Sequence, residues 1–172
     1  DLMFGRKSLT LYAGMNGLLE NDFINIKNTS FEIVAEIETG EKPVNGVIVA
    51  QGGRFGGWSL YVKDGKPVFM YNYLGIERYT ATGSATLPKG KSTVKMDFVY
   101  DGGKPGAGGT ATVFVNGKSV GSAKVARTQF AIFSADETAG VGIDTETPVS
   151  EDYTRANSAF TGTIDKVTIQ LK

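Results

Sequence analysis

The chain is 172 residues long, 41% apolar and 21% charged, and its 18 Lys and Arg balance 18 Asp and Glu. That length suits one domain with a real core, and a zero net charge without any basic run excludes the cation-driven affinity of a nucleic-acid binder. Cys and His are both absent, which excludes disulfides, Ser-His-Asp and Cys-His catalysis, and metal sites built on thiolate or imidazole.

The opening DLMFGRKSLT lacks the apolar core of a signal peptide, and no apolar run reaches the roughly 18 residues of a membrane helix, so no membrane partner is expected. A start at Asp1 fits a piece or a mature form of something longer. Ser8–Tyr12 is predicted as a short strand and Gly14–Ile26 as irregular. From Phe31 the residues alternate strictly, with Phe31, Ile33, Ala35 and Ile37 on one face and Glu32, Val34, Glu36 and Glu38 on the other. That period of two marks a half-buried antiparallel strand. Pro43 and Asn45-Gly46 punctuate a turn.

Gly46–Gln51 is a β-branched run fit for burial on both faces. A corner, Gly52-Gly53-Arg54-Phe55-Gly56-Gly57, leads into WSLYVK and KPVFMYNY, joined by Asp64-Gly65. Both loop positions tolerate positive φ, the strongest short-range hairpin signal. Pairing about that loop sets Trp58 opposite Tyr71 and Leu60 opposite Phe69 on one face, with Tyr61, Val68 and Met70 on the other. Tyr79–Ala85 is expected to add a strand. Val94, Met96, Phe98 and Tyr100 then share a face, residues 102–109 read as a mobile glycine-rich loop, and Asn116-Gly117 closes a second hairpin. Residues 130–153 are loop-rich and acidic. The last strand carries Ile164, Val167, Ile169 and Leu171, and its change of phase near Asp165 predicts a bulge. About ten strands and no helix make the expected fold all-β: a two-sheet antiparallel jelly-roll β-sandwich, one domain over 1–172.

The runs GVIVAQGGRFGGWSLYVKDGKPVFMYN, GGTATVFVNGKSV, SADETAGVGIDTETPVSEDY and FTGTIDKVTI resemble the C-terminal accessory domain of bacterial arylsulfatases, from about Tyr12 to Leu171. The resemblance implies a concanavalin A-like, laminin-G-like jelly roll, an intramolecular contact with a sulfatase catalytic domain, and a periplasmic or secreted location. In that family the sulfuric ester hydrolase chemistry uses a formylglycine from a C/S-x-P-S-R motif and a calcium ion. Neither that motif nor any Cys or His is present, so no catalytic residue carries over and this chain is expected not to be an enzyme. The implied role is support of the catalytic domain or of its pocket rim.

The residues also allow a carbohydrate-binding module for sulfated or neutral glycan. Arg54, held between Gly53 and Gly56, offers a guanidinium to a sulfate or to a partner domain; an exposed Arg on a tight corner is the plainer reading. Trp58 and Tyr73 stand at the ends of the hairpin, where a sugar-stacking platform would place them, although their phase with Leu60 and Phe69 equally fits a core. Asp136, Asp144 and Asp152 fall in an acidic segment and are the calcium candidates, against the plainer reading of a solvated loop. Glu36 and Glu38 share a strand face as glycanase carboxylates do, but Glu36-Ile-Glu38-Thr-Gly-Glu41 lacks the middle Asp of that pattern. Solvated charge on a half-buried strand explains them.

Overall fold

The computed structural model describes residues 3–172. Eleven strands run among them: β1 (Ser8–Leu11), β2 (Phe31–Thr39), β3 (Gly46–Gly53), β4 (Gly56–Lys63), β5 (Lys66–Tyr73), β6 (Glu77–Thr82), β7 (Gly90–Tyr100), β8 (Ala107–Val115), β9 (Lys118–Arg127), β10 (Ala139–Val141) and β11 (Thr163–Leu171). They form two antiparallel sheets, a six-stranded one ordered β1-β11-β2-β7-β8-β9 and a five-stranded one ordered β10-β3-β4-β5-β6. This is the jelly-roll sandwich that the strand count called for. Among the described residues, helix is confined to two three-residue 3-10 turns, Glu20–Asp22 and Arg155–Asn157.

Alternation decides what lies between the sheets. Phe31, Ile33, Ala35 and Ile37 of β2 face Val94, Met96 and Phe98 of β7 across the same inner surface, and Val167 and Ile169 of β11 join them. From the other sheet come Trp58, Leu60, Phe69 and Tyr71, in the register the Asp64-Gly65 loop demands, with Trp58 opposite Tyr71 and Leu60 opposite Phe69. Asp64 takes φ 50 and Gly65 φ 79, the paired positive φ of a type I′ turn. The predicted break at Asp165 is a register shift between Ile164 and Lys166.

Three readings need adjustment. The strand expected over Tyr79–Ala85 is β6, two residues earlier, since pairing with β5 fixes it at Tyr73 opposite Glu77. The glycine-rich loop is shorter than 102–109, because Ala107, Gly108 and Gly109 already belong to β8. Gly14–Ile26 is irregular as expected, yet Phe23, Ile24 and Ile26 are buried and Phe23 packs on Trp58 with ring centroids 6.0 Å apart. A loop with apolar side chains at its end closes the sandwich there, which periodicity does not detect.

The two outer faces differ. That of the six-stranded sheet is solvated: Glu36 pairs with Lys166 at 3.4 Å, Glu38 sits opposite Lys91, and Lys95 lies over the Phe114 ring. That of the five-stranded sheet is covered by a strap, residues 142–161. Gly142 N donates to Ile48 O at 2.8 Å, Val47 N to Ser158 O at 2.8 Å and Thr161 N to Asn45 O at 2.9 Å. Under the strap lies a second core of Val47, Ala50, Tyr61, Val68, Met70 and Tyr153. The strap is the reason β3 is buried on both faces. Its approach is close enough to require glycine at Gly46, whose φ is 106 and where a Cβ would run into the Ala159 carbonyl.

Candidate functional site

The glycine corner forms the β3–β4 turn at one end of the five-stranded sheet, beside the β5–β6 turn. Asn72, 1% exposed, ties the two turns and the strap together. Its Nδ2 donates to Arg54 O and to Val149 O, each at 3.0 Å, and its Oδ1 accepts from Gly75 N at 2.8 Å. Arg54 N donates to the Thr147 hydroxyl at 2.9 Å. On this fixed backbone Phe55 and Ile76 stand 69% and 68% exposed, and Leu74 adopts φ 53, an uncommon conformation for a non-glycine residue. The Arg54 side chain is exposed, lies 5.7 Å from the Phe55 ring centroid, and makes no ion pair among the described residues.

The flanking candidates serve the fold instead. Gly56 has φ 151, and a Cβ there would come 2.8 Å from the Phe133 carbonyl; a Cβ on Gly53 would collide with the Glu137 carboxylate. Both glycines are therefore packed against the chain's own 133–147 segment. Trp58 is not a platform: it is 0% exposed, and its Nε1 donates to Gln51 Oε1 at 3.0 Å. An inward phase in the middle of a two-sheet sandwich leaves an indole no route to solvent. Tyr73 is half-buried with the Arg127 guanidinium 4.4 Å over its ring, so that face is already occupied.

The three aspartates are not gathered into a metal site. Asp136 is exposed, whereas Asp144 and Asp152 lie at separate points along the strap, and among the described residues no group of three or more acidic side chains is placed to hold a metal ion. Asp144 is 5% exposed and accepts from the Tyr153 hydroxyl at 2.7 Å and from Val149 N at 3.0 Å. Burial raises its carboxyl above the ordinary carboxylate range, and those two donors offset only part of the rise. Asp152 accepts from the Tyr61 hydroxyl and, at 2.9 Å, from Lys63 Nζ. Burial pushes its carboxyl up, but the Tyr61 hydroxyl and the Lys63 ammonium outweigh that and hold it below the usual range. Tyr61 and Tyr153, raised by burial first and by these carboxylates second, stay protonated as donors.

Where the strap meets the far end of β3 and β4, a cleft of about 310 Å³ opens, lined by Asn45, Tyr61, Val62, Lys63, Asp152, Tyr153, Asn157 and Thr161. Ligand pockets are on the order of 300–1,000 Å³, so this one is large enough for a single small ring. Its polar groups are positioned from behind. Asn45 Oδ1 is fixed by Asp64 N at 2.8 Å and Asn157 Oδ1 by Thr154 N at 2.6 Å. Neither amide NH2 group has a protein hydrogen bond among the described residues. Lys63 spends one N–H on Asp152 and keeps two. The cleft thus presents amide and ammonium donors beside a carboxylate acceptor, over a floor where Tyr61 and Tyr153 meet edge-to-face at 5.3 Å.

Sequence reasoning missed this cleft. Asn45-Gly46 and Asp64-Gly65 were legible, but only as turns. The contact of Lys63 with Asp152 spans 89 residues and has no local signature.

A family model described as the concanavalin A-like lectin/glucanases superfamily matches residues 16–171. No curated protein matches the chain. Among solved structures it is similar to the CBM40 of Ruminococcus gnavus IT-sialidase bound to alpha2,3 sialyllactose, with TM-score 0.61 and 14% identity over 96% of this chain and 89% of that one. A NanB sialidase from Streptococcus pneumoniae gives TM-score 0.64 and 15% identity over 95% of this chain and 25% of that one. The mouse laminin alpha1 chain, domains LG4-5, gives TM-score 0.54 and 18% identity over 96% of this chain and 40% of that one. At these identities the likeness is one of fold.

Proposed function

The chain belongs to the concanavalin A-like lectin/glucanases superfamily, and from that premise we propose that it is a non-catalytic carbohydrate-binding module whose sugar site is the cleft at Asn45, Lys63, Asp152 and Asn157. The observation that carries the reading is the cleft's set of unused polar atoms. A sugar hydroxyl both donates and accepts, so it needs donors and an acceptor a few ångströms apart. Asn45 Nδ2, Asn157 Nδ2 and the free Lys63 N–H groups are the donors, and Asp152 is the acceptor. All four are held by backbone or partner contacts, so little rotamer entropy is lost on binding. The CBM40 bound to sialyllactose adds support as a fold relative that holds a glycan.

The test is a titration of the chain with lactose, maltose, cellobiose and N,N′-diacetylchitobiose, followed by NMR. A shallow one-ring site predicts a Kd near ~1 mM, about −4 kcal/mol, with shifts at the side-chain amides of Asn45 and Asn157. Asn157→Ala should weaken binding about fivefold with the fold unchanged. Silence of those amides across the panel removes the proposal.

A second reading, an accessory domain of an arylsulfatase, is favoured by one observation at the opposite end of the sheet. Arg54, Phe55, Leu74 and Ile76 expose apolar surface and an unpaired cation on locked turns, as a surface that docks on another domain does. Slowed amide exchange at Phe55 and Ile76 in a longer polypeptide carrying a C/S-x-P-S-R motif, relative to this chain alone, is the expected result. Equal exchange in both overturns it.

A further inference from the structure

We infer that the chain carries a self-modifying site at Asn16-Gly17, where the Asn side chain cyclises onto the next backbone nitrogen and is hydrolysed to an isoaspartyl link. Three Asn-Gly pairs occur, at 16–17, 45–46 and 116–117, and in each the missing Cβ of glycine leaves its nitrogen open to the preceding carboxamide. The fold restrains two of them. Asn116 Oδ1 accepts from Thr93 N at 2.8 Å, and Asn116 N donates to Thr93 O at 2.9 Å. Asn45 Oδ1 accepts from Asp64 N at 2.8 Å, and Gly46 is buried hard against the Ala159 carbonyl, which leaves no space for a ring. Asn16 and Gly17 are exposed and lie in irregular chain. Among the described residues neither the Asn16 carboxamide nor Gly17 N makes a hydrogen bond. Asn16 Oδ1 only lies beside Gly140 of β10, and a Cβ on Gly17 would meet nothing within 4 Å.

In the first step Gly17 N bonds to Asn16 Cγ, the Cγ–Nδ2 bond breaks, and Nδ2 leaves as ammonia with the proton that Gly17 N gives up. Solvent water then opens the succinimide. Opening at Cγ gives aspartate in an ordinary main chain; opening at the Asn16 backbone carbonyl gives the isoaspartyl form, whose main chain is one methylene longer. That methylene falls in a tight place. Val141 N donates to Met15 O at 3.0 Å, Leu18 N to Ala139 O at 3.1 Å and Ala139 N to Leu18 O at 2.8 Å. Asn16 and Gly17 alone lie between these anchors, so a longer link pulls one of them off β10. β10 is the outermost strand of the five-stranded sheet, and losing this cover bares its unpaired backbone groups.

The experiment incubates the whole chain in warm, mildly alkaline buffer, with a parallel sample in urea, and follows the three peptides by mass spectrometry and isoaspartyl methyltransferase labelling. Urea gives the rate each pair has without the fold. Asn16 should convert in the folded chain at nearly its urea rate, whereas Asn45 and Asn116, which must first break a side-chain hydrogen bond, should be slowed at least about fivefold. Equal protection at all three pairs, or faster conversion at Asn45 or Asn116 than at Asn16, overturns the assignment. In converted protein the amides of Ala139 and Val141 should exchange faster than in fresh protein, and Asn16→Gln aged in the same way should show no change. Unaltered exchange in a sample rich in the isoaspartyl form overturns the effect on β10.

Discussion

Removing one oxygen from Tyr153 isolates what anchors the strap. In Tyr153→Phe the ring keeps its place beside Tyr61, but Asp144 loses the hydroxyl at 2.7 Å and Ser59, itself buried, loses the same hydroxyl at 3.0 Å. A hydrogen bond to a charged group is worth about 1.5–3 kcal/mol, and a stranded buried hydroxyl adds about 1. The expected loss is thus about 2–4 kcal/mol, or roughly 5–12 °C in Tm for a chain of this size. The pH dependence carries the sharper test. Asp144 is raised by burial above its unfolded value, so its contribution is fully present below the unfolded pKa and is lost as pH rises through the folded one. Removing its best donor raises the folded pKa further and deepens that loss. The penalty of Tyr153→Phe should therefore be largest at pH 7.5 and shrink toward pH 4.5, read as urea midpoints at both. In an Asp144→Asn background the pH dependence of the penalty should vanish. A penalty equal at both pH values, or larger in acid, refutes the argument that an ionised Asp144 is what the hydroxyl serves.

Asn72 gives an ordering as well as a magnitude. Asn72→Ala costs about 2–4 kcal/mol by stranding the Arg54 and Val149 carbonyls, and Asn72→Asp should cost more, because it turns a carboxylate toward those same oxygens while keeping only the bond from Gly75 N. If Asp is the milder change, the donor side of the amide faces the other way. Trp58→Phe, which loses the bond to Gln51 and part of a core ring, should cost about 2–3 kcal/mol while leaving the sugar titration unchanged. Loss of sugar binding without loss of stability would return Trp58 to a surface role.

The strands could be foreseen because their signals are local. Alternation from Phe31 to Ile37 and the register about Asp64-Gly65 each depend on neighbours a few residues apart, and the fold follows them. The sites could not, because exposure is a property of layers. Trp58 and Tyr61 belong to one strand and point opposite ways, yet both are buried, one between the sheets and one under the strap. Alternation marks one face as inner and is silent on whether a third layer covers the other. The acidic composition of residues 136–152 hid what two of its members do, since Asp144 and Asp152 act singly on tyrosine hydroxyls and not together on a cation.

That third layer also decides where a ligand can sit. The middle of the five-stranded sheet would be a natural platform if bare, but Val47, Ala50, Tyr61, Val68 and Met70 already bury themselves against Tyr153 there. Opening the strap would expose those side chains, at about 25 cal/mol for each Å² of apolar surface, and would break the backbone bonds at Val47, Gly142 and Thr161. A weakly held sugar does not supply that energy, so the proposed sugar site lies where the strap ends. There Asn157 and Thr161 from the strap face Asn45 and Lys63 from the sheet. The cleft is a seam between two layers, with its polar atoms drawn from both sides. For the same reason strap-anchoring substitutions such as Tyr153→Phe should weaken sugar binding along with stability, whereas those at Arg54 and Phe55, on the turn at the other end of β3 and β4, should leave it untouched.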